Sequence, residues 1–181
     1  MRDRYVVDTN VLIAASAADP NHPADIDATP ADPELREMVW QWLNTFEQSE
    51  SRLVLDTENR IFDEYNNKLG FMEFGIQVVM SKWNKCAVDG VTVTYDEHGH
   101  GVLPEVLMSA IHDLADRKMV AASLASIAEF GDGCIAFAGD TDWHDWEDDL
   151  FNHNISVEPI IEDWSRAKHA EKQARKYRAA R

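Results

Sequence analysis

Short apolar runs separated by helix-length segments recur from one end of this chain to the other. Residues 4–7, 53–55, 134–138 and 155–157 read as short buried strands, and the segments between them carry helical patterning. A crossover of that length joins parallel strands, not hairpins. Strands alternating with helices predict an α/β fold, a three-layer α/β/α sandwich with a mostly parallel central sheet. At 181 residues the chain has the length of one domain, and a 45% apolar composition that includes six Trp is enough for a core. A disordered chain is excluded.

The clearest helix carries Leu35, Met38, Val39, Trp42, Leu43 and Phe46 on a single stripe. Asp56 or Thr57 can cap a second helix that presents Ile61, Phe62, Tyr65 and Leu69. Further helices are expected over residues 71–83, from Pro104 to about Ile111, and from Asp116 to Ile127. Val91 to Tyr95 alternates like a strand and runs into a polar turn at 96–101. Residues 17–33 hold four of the six prolines and four aspartates, a spacing that breaks both helix and sheet. They are expected to form a long loop, a mobile flap beside Asp8. The division expected is a domain over 1–165 and a basic C-terminal helix or tail over 166–181.

Charge is unevenly spread. Seventeen basic against thirty-three acidic residues give −16 overall, a poor field for attracting a polyanion. Residues 166–181 nevertheless hold seven Lys or Arg against Glu171 alone, which leaves −22 on the remainder. A nucleic-acid arm, a partner-binding tail and a solvated helix all fit that asymmetry. Cys86 and Cys134 have no CxxC partner, which argues against a disulfide framework or a thiolate zinc site. No apolar run approaches membrane-spanning length, so a soluble, cytoplasmic chain with no membrane partner is expected. His98-Gly99-His100 reads as a polar turn, and the stretch from Trp143 to Asp149 as a partly buried helix anchored by its Trp residues. No Gly-rich phosphate loop or Ser/Cys–His nucleophile pattern stands out.

Open parallel sheets bind ligands beyond the carboxyl ends of their strands. Asp8 closes the first strand, and Asp140 follows the 134–138 strand with Gly139 between. Glu64 and Asp116 sit on helices able to face the same cleft, with Asp113 and Asp142 close by in sequence. Taken singly, each has an ordinary structural use as a helix cap or a turn residue. Together they carry an electrostatic problem. Two unit charges 4 Å apart repel by about 1 kcal/mol in water and about 4 kcal/mol at an effective dielectric of 20. Protonation or a bound cation must relieve that repulsion. An all-oxygen set suits a hard ion, Mg²⁺ or Mn²⁺.

The arrangement also resembles a known family. Tyr5-Val6-Val7-Asp8-Thr9-Asn10-Val11-Leu12-Ile13 resembles the opening of PIN-domain ribonucleases, a strand followed by Asp-Thr-Asn and an apolar helix. Ile61-Phe62-Asp63-Glu64-Tyr65 is similar to the family's Glu-Tyr helix, and the segment from His112 to Leu124 to its acidic turn into an Ala-rich helix. Ile135-Ala136-Phe137-Ala138-Gly139-Asp140-Thr141-Asp142-Trp143 resembles its final strand and Gly-Asp-x-Asp-aromatic turn. The motifs keep family order and span residues 4 to 160. The hydroxyl residue usual before that glycine is Ala138 here.

The resemblance implies a metal-dependent endoribonuclease that hydrolyses RNA phosphodiester bonds with a Mg²⁺- or Mn²⁺-activated water. Asp8 and Asp140 would be the principal ligands, with Asp116 next. Glu64 would ligate a second ion or orient the attacking water. Asp113 and Asp142 would be auxiliary ligands, and Asn10 would support the loop. The implied partners are RNA, an antitoxin protein where the chain is the toxin of a toxin–antitoxin pair, and a second copy in a homodimer. The rival reading is a non-catalytic PIN-fold binding or scaffold protein; a nuclease acting on DNA is a third.

Overall fold

The computed structural model describes residues 1–19 and 26–179. Within them β1 (Arg4–Val7), β2 (Arg52–Asp56), β3 (Val88–Val91), β4 (Cys134–Phe137) and β5 (Ser156–Pro159) form one sheet, parallel at every pairing, in the order β3-β2-β1-β4-β5. The helices are α1 (Thr9–Ser16), α2 (Pro33–Gln48), α3 (Arg60–Lys68), α4 (Phe74–Asn84), α5 (Glu105–Ala110), α6 (Arg117–Phe130), α7 (Glu147–Asn152) and α8 (Glu162–Ala179). The architecture is the three-layer α/β sandwich expected from the sequence. α1, α2 and α4 pack on one another, while α6 runs over β1, β2, β3 and β4.

Strand order decides where a ligand can go. From β1 the chain builds outward through β2 to β3, then returns to add β4 and β5 on the other side. The direction of winding therefore reverses between β1 and β4, and loops leaving their carboxyl ends part there to open a crevice. Tyr5, Val6 and Val7 pair with Cys134, Ile135 and Ala136, and the Asp8 amide donates to the Ala136 carbonyl at 2.9 Å. Asp8 is thus the first residue past the ladder, held directly beside β4.

The central strands β1 and β4 are apolar because both faces are covered: Tyr5, Val6 and Val7 are buried, as are Cys134, Ile135, Ala136 and Phe137. Three aromatics, the buried Tyr65 and Tyr5 and the half-buried Trp42, fasten the layers. Tyr65 donates from its hydroxyl to the Val7 carbonyl, tying α3 to the end of β1. Trp42 and Tyr5 meet edge to face at 5.3 Å, and both donate to Glu158 at the edge strand. α4 approaches α1 so closely that a Cβ on Gly75 would lie 2.7 Å from the Leu12 carbonyl oxygen, which requires glycine there.

α2 and the helix expected from residue 71 differ in detail from their sequence patterns. Asp32 caps α2 by accepting from the Glu34 amide at 2.9 Å, and Pro33 opens the helix as its first residue, where no amide hydrogen is needed. The stripe of α2 is narrower than its pattern, because Met38 is 49% exposed while Val39, Leu43 and Phe46 are buried. α4 starts at Phe74, leaving Phe71 and Met72 as exposed residues of the preceding turn.

The strand expected at Val91 to Tyr95 lies earlier, at Val88–Val91. Cys86, with φ 54°, turns the chain back to the sheet two residues past α4. β3 then stays in register with β2 only until Asp56 faces Val91. There β2 ends: the Asp56 carboxylate accepts from the Arg60 and Ile61 amides at 3.0 and 2.8 Å, capping α3. Residues beyond Val91 have no strand to pair with. Val93 is still buried, so the alternation records burial without a ladder, and Tyr95 keeps a single antiparallel bridge to Gly101. The 96–101 segment is the polar turn expected, with the Asp96 carboxylate accepting from the His98 and His100 amides at 2.9 and 2.8 Å.

Pro20, Pro23 and Asp25 of the expected flap lie outside the described residues. Its second half is anchored instead of loose. Arg36 donates from Nε to the Pro30 carbonyl at 2.6 Å and from Nη2 to the Ala28 carbonyl at 2.8 Å. Ala28 is buried, and a Cβ on Gly139 would sit 2.2 Å from the Thr29 carbonyl oxygen. The 26–32 segment is therefore packed on the residue preceding Asp140. Among the described residues no helix is long and apolar enough to cross a membrane.

Candidate metal centre

Asp8, Asp116 and Asp140 each offer a carboxylate oxygen such that the three atoms lie within 4.8 Å of one another. They come from the end of β1, the residue before α6, and the turn after β4, so the site sits at the reversal point of the sheet. Asp8 is buried and caps α1, accepting from the Asn10 amide at 2.7 Å on Oδ1. Its other oxygen accepts from the Trp143 indole Nε1 at 2.6 Å. Asp140 accepts from the Asp142 amide at 2.8 Å, the local bond that shapes the 140–142 turn.

Asp116 differs from the other two. Its Oδ2 is buried and has no hydrogen-bond partner. A buried carboxylate oxygen without a donor is costly, by about 1–3 kcal/mol or more for a charged group. Arg117 holds the approach to α6 in place by donating to the Met108 carbonyl at 2.7 Å and to the Ile111 carbonyl at 3.1 Å. Asp116 is thereby presented to its two acidic neighbours by a braced turn.

Burial and mutual repulsion dominate the site's protonation. Desolvation first, then the Asp140 charge, hold the Asp8 carboxyl well above the ordinary carboxylate range, against the opposing bonds from Asn10 and Trp143. Burial followed by the charges of Asp8 and Asp140 raises Asp116 as well. Asp140 is raised chiefly by burial, with Lys172 pulling the other way.

The remaining sequence-selected residues fall around this triad. Glu64 lies beside it, near enough for its charge to raise both Asp8 and Asp116, and its carboxylate is already engaged. Thr9 donates from Oγ1 to one Glu64 oxygen and the Lys118 ammonium pairs with the other. Lys118 also donates to the Ala115 carbonyl at 2.8 Å. Asp113 is exposed and accepts from the Ala115 amide at 2.8 Å, so it shapes the turn before Asp116 while adding its charge to the cluster. Asp142 pairs with Lys172 of α8. Asn10 supports the site through its backbone amide.

Three contributors were not singled out from the sequence as parts of the site. Trp143 is buried as expected, but it sits on a 3-10 turn over Asp142–His144 instead of on the expected helix, which begins at Glu147, and it also donates to Asp8. Its position directly after the Asp140-x-Asp142 turn was the available signal. Lys118 and Thr9 each neighbour a candidate residue in sequence, yet nothing local says that both reach Glu64.

The donor set fits a divalent cation. The three clustered groups offer only carboxylate oxygens, Asp8 has both of its oxygens and Asp140 one held by a protein donor, and Asp116 keeps a buried oxygen that no donor holds. Compared with protein-family models, curated proteins and solved structures, the chain matches none.

Proposed function

We propose that this chain is a metal-dependent endoribonuclease of the PIN-domain kind, with Asp8, Asp116 and Asp140 holding a Mg²⁺ or Mn²⁺ ion. The observation that carries the reading is the convergence of three chain-distant carboxylates at the sheet's reversal point, one with a buried oxygen lacking any donor. The four family-like motifs supply the reaction class. When bound, the ion supplies positive charge for a phosphodiester oxygen and lowers the pKa of the attacking water.

The chain's own residues orient and exclude. Trp143 and the Asn10 amide fix both oxygens of Asp8. Thr9 and Lys118 hold Glu64 beside the cluster, where its carboxylate orients the water that attacks phosphorus. The buried indoles of Trp143 and Trp146, 5.3 Å apart, keep bulk water from the back of the site.

RNA cleavage in Mg²⁺ or Mn²⁺ tests the proposal. Cleavage should be lost in Asp140→Asn while the variant's circular dichroism stays that of the wild type. Metal binding without cleavage of varied RNAs would contradict it and favour the scaffold reading.

A further inference from the structure

The acidic centre has a basic neighbour. A groove of about 780 Å³ opens between α8 and the 29–32 segment, and its floor includes Gly139 and Thr141, the residues on either side of Asp140. On the α8 side the lining residues are Trp164, Lys168, Glu171, Lys172, Arg175 and Lys176. Their spacing of 4, 7, 8, 11 and 12 residues is that of one helical face, so they form a continuous stripe about 18 Å long. Four of the six are cationic, on a chain whose formal charge is −16.

The helix is seated so that this stripe stays open. His169 meets Asp145 at 2.6 Å and Arg166 meets Glu147 at 3.1 Å, docking α8 on the segment that follows Asp140. Lys168 pairs with Glu171 at 3.0 Å and Lys176 lies 3.8 Å from Asp145, but their side chains remain 46% and 58% exposed, and such exposed pairs are weak enough for a phosphate to displace. Lys172 reaches inward to Asp142, linking the stripe to the turn that carries Asp140. Trp164, half-buried and packed on the core, lines the groove with its indole, and Pro30 lines it from the 29–32 segment. Cations that follow a phosphate backbone and an aromatic face on which a base stacks are the two elements of single-strand binding.

We infer that this groove binds single-stranded RNA on its way to the carboxylate centre, with backbone phosphates along Lys168, Arg175 and Lys176 and a base against Trp164. The inference rests on the nuclease reading for its choice of nucleic acid over other polyanions. It also accounts for a basic helix on an otherwise acidic chain: the positive stripe draws in a substrate that the carboxylates alone would repel.

The test is fluorescence anisotropy with a short single-stranded RNA of mixed sequence in EDTA, so that binding is read without cleavage or metal. For single strands the slope of log affinity against log salt is about −0.7 for each phosphate contact. Combined Lys168→Gln, Arg175→Gln and Lys176→Gln should therefore make the slope shallower by about 2. Trp164→Leu should weaken binding about tenfold and leave the slope unchanged, since stacking releases no counterions. Asp140→Asn should bind at least as tightly as the wild type. Wild-type affinity and slope in the triple variant would overturn the inference. So would charge-dependent capture of an acidic peptide by the groove with no capture of RNA. If the wild type binds RNA in this pattern but never cleaves it, the catalytic reading falls and the groove stands.

Discussion

Trp143 donates from its indole nitrogen to Asp8 Oδ2 at 2.6 Å, joining residues 135 positions apart in sequence. The bond spans the sheet's reversal point from the β4 turn to the end of β1, so it both closes the fold and orients a candidate ligand. Trp143→Phe keeps an aromatic ring, gives up part of the buried volume and deletes the donor. Without that bond the Asp8 carboxyl rises further, since the indole now holds it down. The variant should lose about 1–3 kcal/mol in denaturant unfolding and bind Mn²⁺ about ten- to a hundredfold more weakly. Unchanged Mn²⁺ affinity would show that the bond serves packing alone.

The protonation of the triad gives the metal-free protein a distinctive pH dependence. Asp8 and Asp116 have folded-state pKa values above those of an unfolded chain, where Asp titrates near about 3.9. The folded state therefore binds more protons, and the triad's contribution is complete below about pH 4 and lost as pH rises. For Asp8 the loss runs from the unfolded value up to the folded value of about 7. Thermal unfolding in EDTA should show stability falling from about pH 4 to about 7, with Asp8→Asn flattening the decline. In Mg²⁺ the decline should shrink, because the ion stabilises the ionised form. A wild-type decline equal to that of Asp8→Asn would contradict the assignment.

Lys118 acts as a built-in counter-cation to Glu64. Lys118→Met should leave the Glu64 charge uncompensated beside Asp8 and Asp116, lowering the melting temperature in EDTA. Added Mn²⁺ should then raise it by more than in the wild type. An equal Mn²⁺ response in the two proteins would mean that the ammonium lies outside the field of the site.

Gly139 is required by the close approach of the 26–32 segment. Gly139→Ala places a Cβ against the Thr29 carbonyl oxygen and must push that segment off the Asp140 turn. A loss of about 1–3 kcal/mol is expected in chemical unfolding, as for other overpacked sites. Wild-type stability would mean that the segment yields freely.

Much of this architecture was legible in the sequence. The parallel sheet follows from β1, β2 and β4, whose apolar runs mark strands covered on both faces, and from the short half-buried edge strand β5. Asp8, Asp116 and Asp140 were selected because strand ends and helix starts are local features, and the sheet order then brings them together. β3 was misplaced because its Val88-Asp89-Gly90-Val91 sequence lacks strand character. Asp89 faces Arg4 and Arg52 in ion pairs at 2.9 and 2.7 Å, a tertiary reason that no local pattern carries. The engagement of Glu64 by Thr9 and Lys118 was hidden for the same reason. The 26–32 segment looked loose because its proline-rich composition reports on backbone propensity, whereas its anchoring comes from Arg36 and Gly139.

Calorimetric titration of Mn²⁺ into the wild type, Asp8→Asn and Asp116→Asn bears most directly on whether these carboxylates are together because a cation binds between them. Saturable binding in the wild type that is abolished in both folded variants is the expected result. Mn²⁺ heats of the same size and affinity in all three proteins would contradict the account.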